Sequence, residues 1–161
     1  MLKTYQKRII KLSIQLFILI FAILYIYFRP IFLLKVIGES MVPSLQPGEI
    51  VLANKFDKVY TIGDVVLVEQ NSELIIKRIA YVGGQRIPVV DLGVRKYQTL
   101  PIMEDLDNHI IHLQKCGIKA GYYTIPNNYV FLLGDNLSVS EDSRMFGAVP
   151  ISTIKGKIIE F

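Results

Sequence analysis

The sequence predicts a mainly β protein, with an N-terminal single transmembrane helix followed by a compact, mostly antiparallel β domain. Three observations carry that prediction. Residues 12–28 form an uncharged apolar run. Short segments rich in Val, Ile and aromatic residues recur from residue 49 onward. No 3.6-residue apolar period persists after residue 40. A chain of 161 residues has room for an anchor and one modest domain. Hydrophobic residues make up 52% of it and the mean hydropathy is +0.40. That excess is concentrated near the N-terminus.

The apolar run reads LSIQLFILIFAILYIYF. Crossing the hydrocarbon core takes about 20 residues. Lys11 and Arg29 can reach toward the head groups from either end. A cleavable signal sequence fits less well, because the run is long and no small-x-small site follows it. Lys3, Lys7, Arg8 and Lys11 precede the run, which places the N-terminus in the cytoplasm and the remainder outside. Tyr25 and Tyr27 suit the outer interface. The expected organisation is a basic cytoplasmic segment at 1–11, an anchor at 12–29 and an extracytoplasmic domain at 30–161, in a single-pass membrane protein.

Beyond the anchor, residues 49–53, 65–68, 74–81, 129–133 and 154–161 read as strands. Pro47-Gly48, Gly63-Asp64, Gly83-Gly84, Pro126-Asn127-Asn128 and Gly134-Asp135-Asn136 punctuate them. Residues 91–121 are more polar, hold both histidines and read as an excursion with a short helix around 103–109. The net charge of +4 arises largely before the anchor, and no basic stripe interleaved with aromatics argues for nucleic acid. Cys116 has no partner for an internal disulfide and reads as a small, partly buried residue.

Two sites carry potential chemistry. The first is Ser40, within Gly38 to Leu45 just outside the membrane. A serine hydroxyl needs a neighbouring base to become a nucleophile. No Asp-His-Ser layout is evident, as the only histidines, His109 and His112, lie in the polar excursion. The second is Lys77, within LIIKRIA. In a strand it shares a face with Ile75 and Ile79, while Arg78 points the other way, toward water. Apolar burial lowers a lysine pKa and can leave the amine a competent base. From this strand alone, a lysine that merely stretches past its neighbours to solvent is the plainer reading. The segment from Gly134 to Gly147 is dense in small polar residues. By itself it could be an Asx-type turn with a local contact between Asp142 and Arg144.

Taken together these segments resemble bacterial type I signal peptidases, in the short form. The family's Ser-Met-x-Pro-Thr-Leu box appears as Ser40-Met41-Val42-Pro43-Ser44-Leu45, with one Ser for Thr. Its Gly-Asp-Val-Val opening is Gly63-Asp64-Val65-Val66, and its Lys-Arg pair is Lys77-Arg78. Its closing box is present as Gly134-Asp135-Asn136 and Ser140-Glu141-Asp142-Ser143-Arg144-Met145-Phe146-Gly147. Four boxes in order behind one span are far more specific than any one. There are departures: Gly84-Gln85 replaces a Gly-Asp, Leu137 stands where Arg is common, and Gly38 stands where some members carry an oxyanion-binding hydroxyl.

The resemblance implies a serine endopeptidase with Ser40 as nucleophile and Lys77 as general base. The Ser40 backbone N–H would stabilise the oxyanion, and Ser140 would orient the amine. Asp142 and Arg144 would brace the site. The substrates implied are signal peptides of exported precursors, with small residues at the first and third positions before the cut. Leu34, Val36, Met41, Leu74 and Ile76 are the candidate pocket residues. The lipid bilayer is the other expected partner; no nucleic acid, cofactor or metal is expected. His109-x-x-His112 reads as polar surface, since no Cys or metalloprotease Glu accompanies it.

Three other readings compete. A peptidase dedicated to pilin, conjugation or bacteriocin precursors would carry the same dyad. A catalytically inactive assembly factor is disfavoured because both Ser40 and Lys77 are kept. Self-cleaving repressors share the dyad, but they carry a DNA-binding domain where this chain has a span.

Overall fold

The computed structural model describes residues 2–28, 31–91, 97–100 and 105–159. Helix α1 spans Leu2–Phe28, and its apolar window covers Gln6–Tyr27, 22 residues with a mean hydropathy of 2.5. At 1.5 Å per residue that window measures about 33 Å, enough for a hydrocarbon core of about 30 Å. It starts six residues before the anchor read from sequence, because Gln6, Lys7, Arg8 and Lys11 continue the helix; Arg29 lies outside the described residues.

The strands are β1 (Ile31–Lys35), β2 (Ile50–Asn54), β3 (Val65–Gln70), β4 (Glu73–Val82), β5 (Arg86–Asp91), β6 (Tyr97–Thr99), β7 (Ala120–Thr124), β8 (Tyr129–Leu133), β9 (Val149–Pro150) and β10 (Ile154–Ile159). Two short helices, α2 (Leu106–Lys115) and α3 (Ser143–Phe146), complete the pattern. Among the described residues the strands make a seven-stranded sheet, ordered β1-β2-β10-β3-β4-β8-β9, and a three-stranded sheet, ordered β6-β5-β7. Every pairing is antiparallel.

The larger sheet is covered on both faces around β3, which is why β3 reads as a continuous apolar run rather than an alternating one. Val65 and Leu67 join a cluster with Val36, Met41, Leu45, Val51, Ala53 and Ile158. Val66 and Val68 join another with Ile79, Val130, Leu132, Val149 and Ile154. A third cluster, built on Ile87, Val89, Ile125 and Phe131, joins the two sheets. Phe131, on β8, is fully buried and meets the rings of Tyr81 and Tyr123 at centroid distances of 6.2 and 6.1 Å. Such tilted ring contacts add to the area buried.

Among the described residues, the excursion read at 91–121 contains β6, α2 and the start of β7. The expected helix at 103–109 is found as α2, displaced toward the C-terminus; residues 103 and 104 lie outside the described residues. Cys116 is exposed rather than partly buried, because α2 buries only Ile110 and the chain leaves the helix at Cys116.

Phe131→Ala should cost about 3–5 kcal/mol. Thermal unfolding of the detergent-solubilised chain would show it as a lowered Tm, with the smaller sheet loosening first in hydrogen exchange.

Candidate active site

The site begins where β1 ends. The Val36 N–H donates to Glu49 O at 2.8 Å, and the Gly48 N–H donates to Val36 O at 2.9 Å. These bonds close a loop that contains Ser40. Met41 and Leu45, four residues apart, fall on one side of the turn and are buried in the core. The Leu45 N–H donates to Met41 O at 2.9 Å and tightens the turn. Gly38 enters it at φ +81°, a conformation that favours glycine. Apolar burial of Met41 and Leu45 thus fixes the backbone on which Ser40 rides.

Lys77 sits in the middle of β4, directly across from Val66 of β3 and on the same face as Ile75 and Ile79. The residue is 4% exposed. Its Nζ lies 2.7 Å from Ser40 Oγ, across 37 residues of sequence. Burial pushes the Lys77 amine below its ordinary pKa; the charges of Asp142 and Glu141 oppose that shift, and Arg144 reinforces it. An uncharged amine at this distance can accept the hydroxyl proton.

The closing segment packs against this pair. The Asn136 N–H donates to Ser40 O at 3.0 Å. A side chain at Gly134 would lie 2.5 Å from Ser40 O and 2.2 Å from Ser140 Oγ, so only glycine fits there. Ser140 is buried, and its hydroxyl is among the groups that lower the Asp142 pKa. Asp142 is fully buried. It accepts from the Gly134 N–H at 3.0 Å, from Arg144 Nε at 2.8 Å and from the second guanidinium nitrogen at 2.9 Å. Burial pushes the Asp142 carboxyl up, but the Arg144 guanidinium and the Gly134 N–H outweigh it and hold the group below the usual carboxylate range. Asp142 also caps α3 through the Arg144 N–H. Arg144 in turn donates to Leu137 O at 2.8 Å.

Three contributors were not assigned from sequence. Arg78 does leave β4 on the face opposite Lys77, but it does not point into open water. Its guanidinium makes a two-pronged contact with Asp135, at 2.9 and 2.7 Å, and donates to Gly63 O at 2.7 Å and Ser44 Oγ at 3.2 Å. Burial raises the Asp135 carboxyl, yet bonds from Arg78 and Ser44 bring it below its ordinary value. Ser143 Oγ, fully buried, accepts the Leu132 N–H at 2.9 Å. Gly134 supplies the close approach described above. Asp135 and Gly134 belong to a motif visible in the sequence, but their partners lie too far along the chain to be read from it.

A cleft of about 280 Å³ opens beside the pair. Its lining includes Leu34, Val36, Met41, Leu74 and Ile76, together with Ser40 and Lys77. Val36 and Met41 are almost fully buried, whereas Leu74 is more than half exposed. Among the described residues no three His, Cys, Asp or Glu side chains are grouped to hold a metal ion; His109 and His112 lie along α2.

Two outcomes follow from this geometry. Gly134→Ala should lower the reactivity of Ser40 toward an acylating probe about 100-fold by displacing Ser40 or Ser140, as an ångström of misplacement costs about that much. Single-turnover rates would measure it, with circular dichroism checking that the fold is kept. The second concerns stability. Lys77 is protonated in the unfolded chain at neutral pH and resists protonation when folded, so the unfolded state binds more protons and stability rises with pH. Lys77→Met should therefore unfold at a higher Tm than the parent at neutral pH. The gap should narrow as pH climbs from the lowered Lys77 value toward that of a free lysine.

Comparison with known proteins places the chain in a family. The model of the "Signal peptidase, peptidase S26" family matches residues 6–161. The chain is 32% identical over 130 residues to the mitochondrial ATP-independent inner membrane protease subunit 1a of Arabidopsis thaliana, covering 76% of this chain and 64% of that protein. It is 29% identical over 136 residues to signal peptidase I of Bacillus caldolyticus, covering 75% and 73% of the two chains. It is 32% identical over 136 residues to signal peptidase I V of Bacillus subtilis (strain 168), covering 77% and 81%. The chain thus spans less than two thirds of the Arabidopsis relative, and most of the Bacillus ones. With a match running from within the apolar helix to the last residue, the chain belongs to the signal peptidase, peptidase S26 family.

Proposed function

We propose that the chain is a membrane-bound serine endopeptidase that removes signal peptides from exported precursor proteins through a Ser40–Lys77 dyad. The observation that carries this reading is the 2.7 Å contact between a buried, pKa-lowered amine and the Ser40 hydroxyl. Lys77 takes the hydroxyl proton as Ser40 Oγ attacks the scissile carbonyl carbon. The Ser40 N–H stabilises the resulting oxyanion. Collapse breaks the peptide bond, the proton passes from Lys77 to the departing amine nitrogen, and an acyl-enzyme remains. Water, deprotonated by Lys77, then hydrolyses the ester and restores Ser40.

Ser140 is assigned to orienting the amine; its buried hydroxyl close against Gly134 supports that role. Asp142 and Arg144 hold the closing segment in place. The cleft supports a preference for small side chains before the cut. An extended substrate can lie along β1 and β4 with alternate side chains turned into the cleft. The basic residues ahead of α1 support an N-terminus in the cytoplasm and a catalytic domain on the outer side. Two Bacillus relatives named signal peptidase I support the substrate class.

Purified full-length chain in detergent, given a precursor with small residues at the first and third positions before the cut, should cleave it. Ser40→Ala and Lys77→Ala should each reduce the rate by about 10³-fold or more. The parent rate should rise with pH through an apparent pKa below that of a free lysine. A retained rate in Lys77→Arg would overturn the neutral-amine base.

A further inference from the structure

The cleft accounts for substrate residues on one side of the dyad only. Its walls come from Leu34 to Ile37, from Leu74 to Ile76 and from the Met41 turn. No residue from 134 to 145 lines it. That segment approaches Ser40 through the backbone instead, by the Asn136 N–H to Ser40 O bond and the close pass of Gly134. It therefore borders Ser40 outside the cleft lining. A chain held in the cleft on one side of the scissile bond must continue past Ser40 on the other.

The turn at 136–140 is built by polar bonds. The Ser140 N–H donates to Asn136 O at 3.1 Å, the Ser138 hydroxyl donates to Asn136 Oδ1 at 2.7 Å, and Arg144 holds Leu137 O at 2.8 Å. None of these bonds uses the side chains of Leu137 and Val139, and both are left 55% exposed. Two branched apolar side chains, one residue apart, on a turn tied to the nucleophile leave apolar surface uncovered that a bound chain would remove from water. They bear no charge that would serve solubility.

We infer that Leu137 and Val139 form a contact surface for the first residues after the scissile bond and give this chain a preference for apolar side chains there. The inference rests on the proposed endopeptidase reading. Covering such a side chain is worth about tenfold in specificity, comparable to one or two methylenes in an apolar site.

The test uses purified full-length chain and a peptide set identical up to the cut. The first three positions after it carry Leu or Ser in turn. The parent should favour at least one Leu peptide over its Ser counterpart by about tenfold in kcat/KM. Leu137→Ser with Val139→Ser should bring that ratio close to one while leaving the Ser peptides cleaved at the parent rate. A parent ratio already near one, or a ratio unmoved by the double substitution, would overturn the inference. So would a loss that is equal for all peptides and seen only in lipid vesicles, which would mark the pair as a bilayer contact. Failure of the parent to cut any peptide would instead count against the endopeptidase reading itself.

Discussion

Everything in this domain turns on keeping one amine dry. Lys77 is held among Ile75, Ile79 and Val66 in the middle of a sheet, where solvation of an ammonium is lost. A carboxylate nearby would undo that effect by attracting a proton back to the amine, and Asp142 is such a carboxylate. Arg144 answers it. It binds Asp142 through two nitrogens and also disfavours the charged amine directly, while burial remains the largest cause of the lowered Lys77 pKa. Asp142, Arg144 and the Lys77 amine thus form one electrostatic arrangement.

A second ion pair has the complementary mechanical role. Arg78, one residue beyond the amine, leaves the opposite face of β4 and ties Asp135, Gly63 and the Ser44 end of the nucleophile turn to a single guanidinium. Planar, forked guanidinium contacts of this kind define direction as well as distance. With Met41 and Leu45 buried on one side of the turn and Asn136 bonded to the Ser40 carbonyl on the other, little freedom is left to the hydroxyl. Such preorganisation removes entropy from the reacting geometry in advance.

Strand segments dense in Val and Ile were legible in the sequence: β2, β3, β4, β8 and β10 all fall on segments read as strands. β1 was not, because its IFLLK reads as a continuation of the apolar anchor. β5 was obscured by Pro88, which has no N–H to give a neighbour. The structure accommodates it because β6 pairs only from Val89 onward and Pro88 still accepts the Leu100 N–H through its carbonyl. At the site, the strand around Lys77 alone reads as a lysine reaching solvent, and it is the four boxes in order that mark Ser40 and Lys77 together. The approach of Gly134 to Ser40, and of Asp135 to Arg78 across 57 residues, arises from strand pairing and has no local signature. The sequence turns Arg78 toward solvent for the same reason: the alternation rule fixes which face a side chain leaves from, not what waits there.

Few residues separate α1 from the cleft. The helix ends at Phe28, β1 starts at Ile31, and Leu34 already stands in the cleft wall. Six residues of fully extended chain reach about 20 Å. The covalent link therefore acts as a short tether, and no rearrangement of the domain can lift Leu34 farther than that from the end of the helix. For a chain anchored in a bilayer, this sets a ceiling on the height of the cleft wall above the end of the helix.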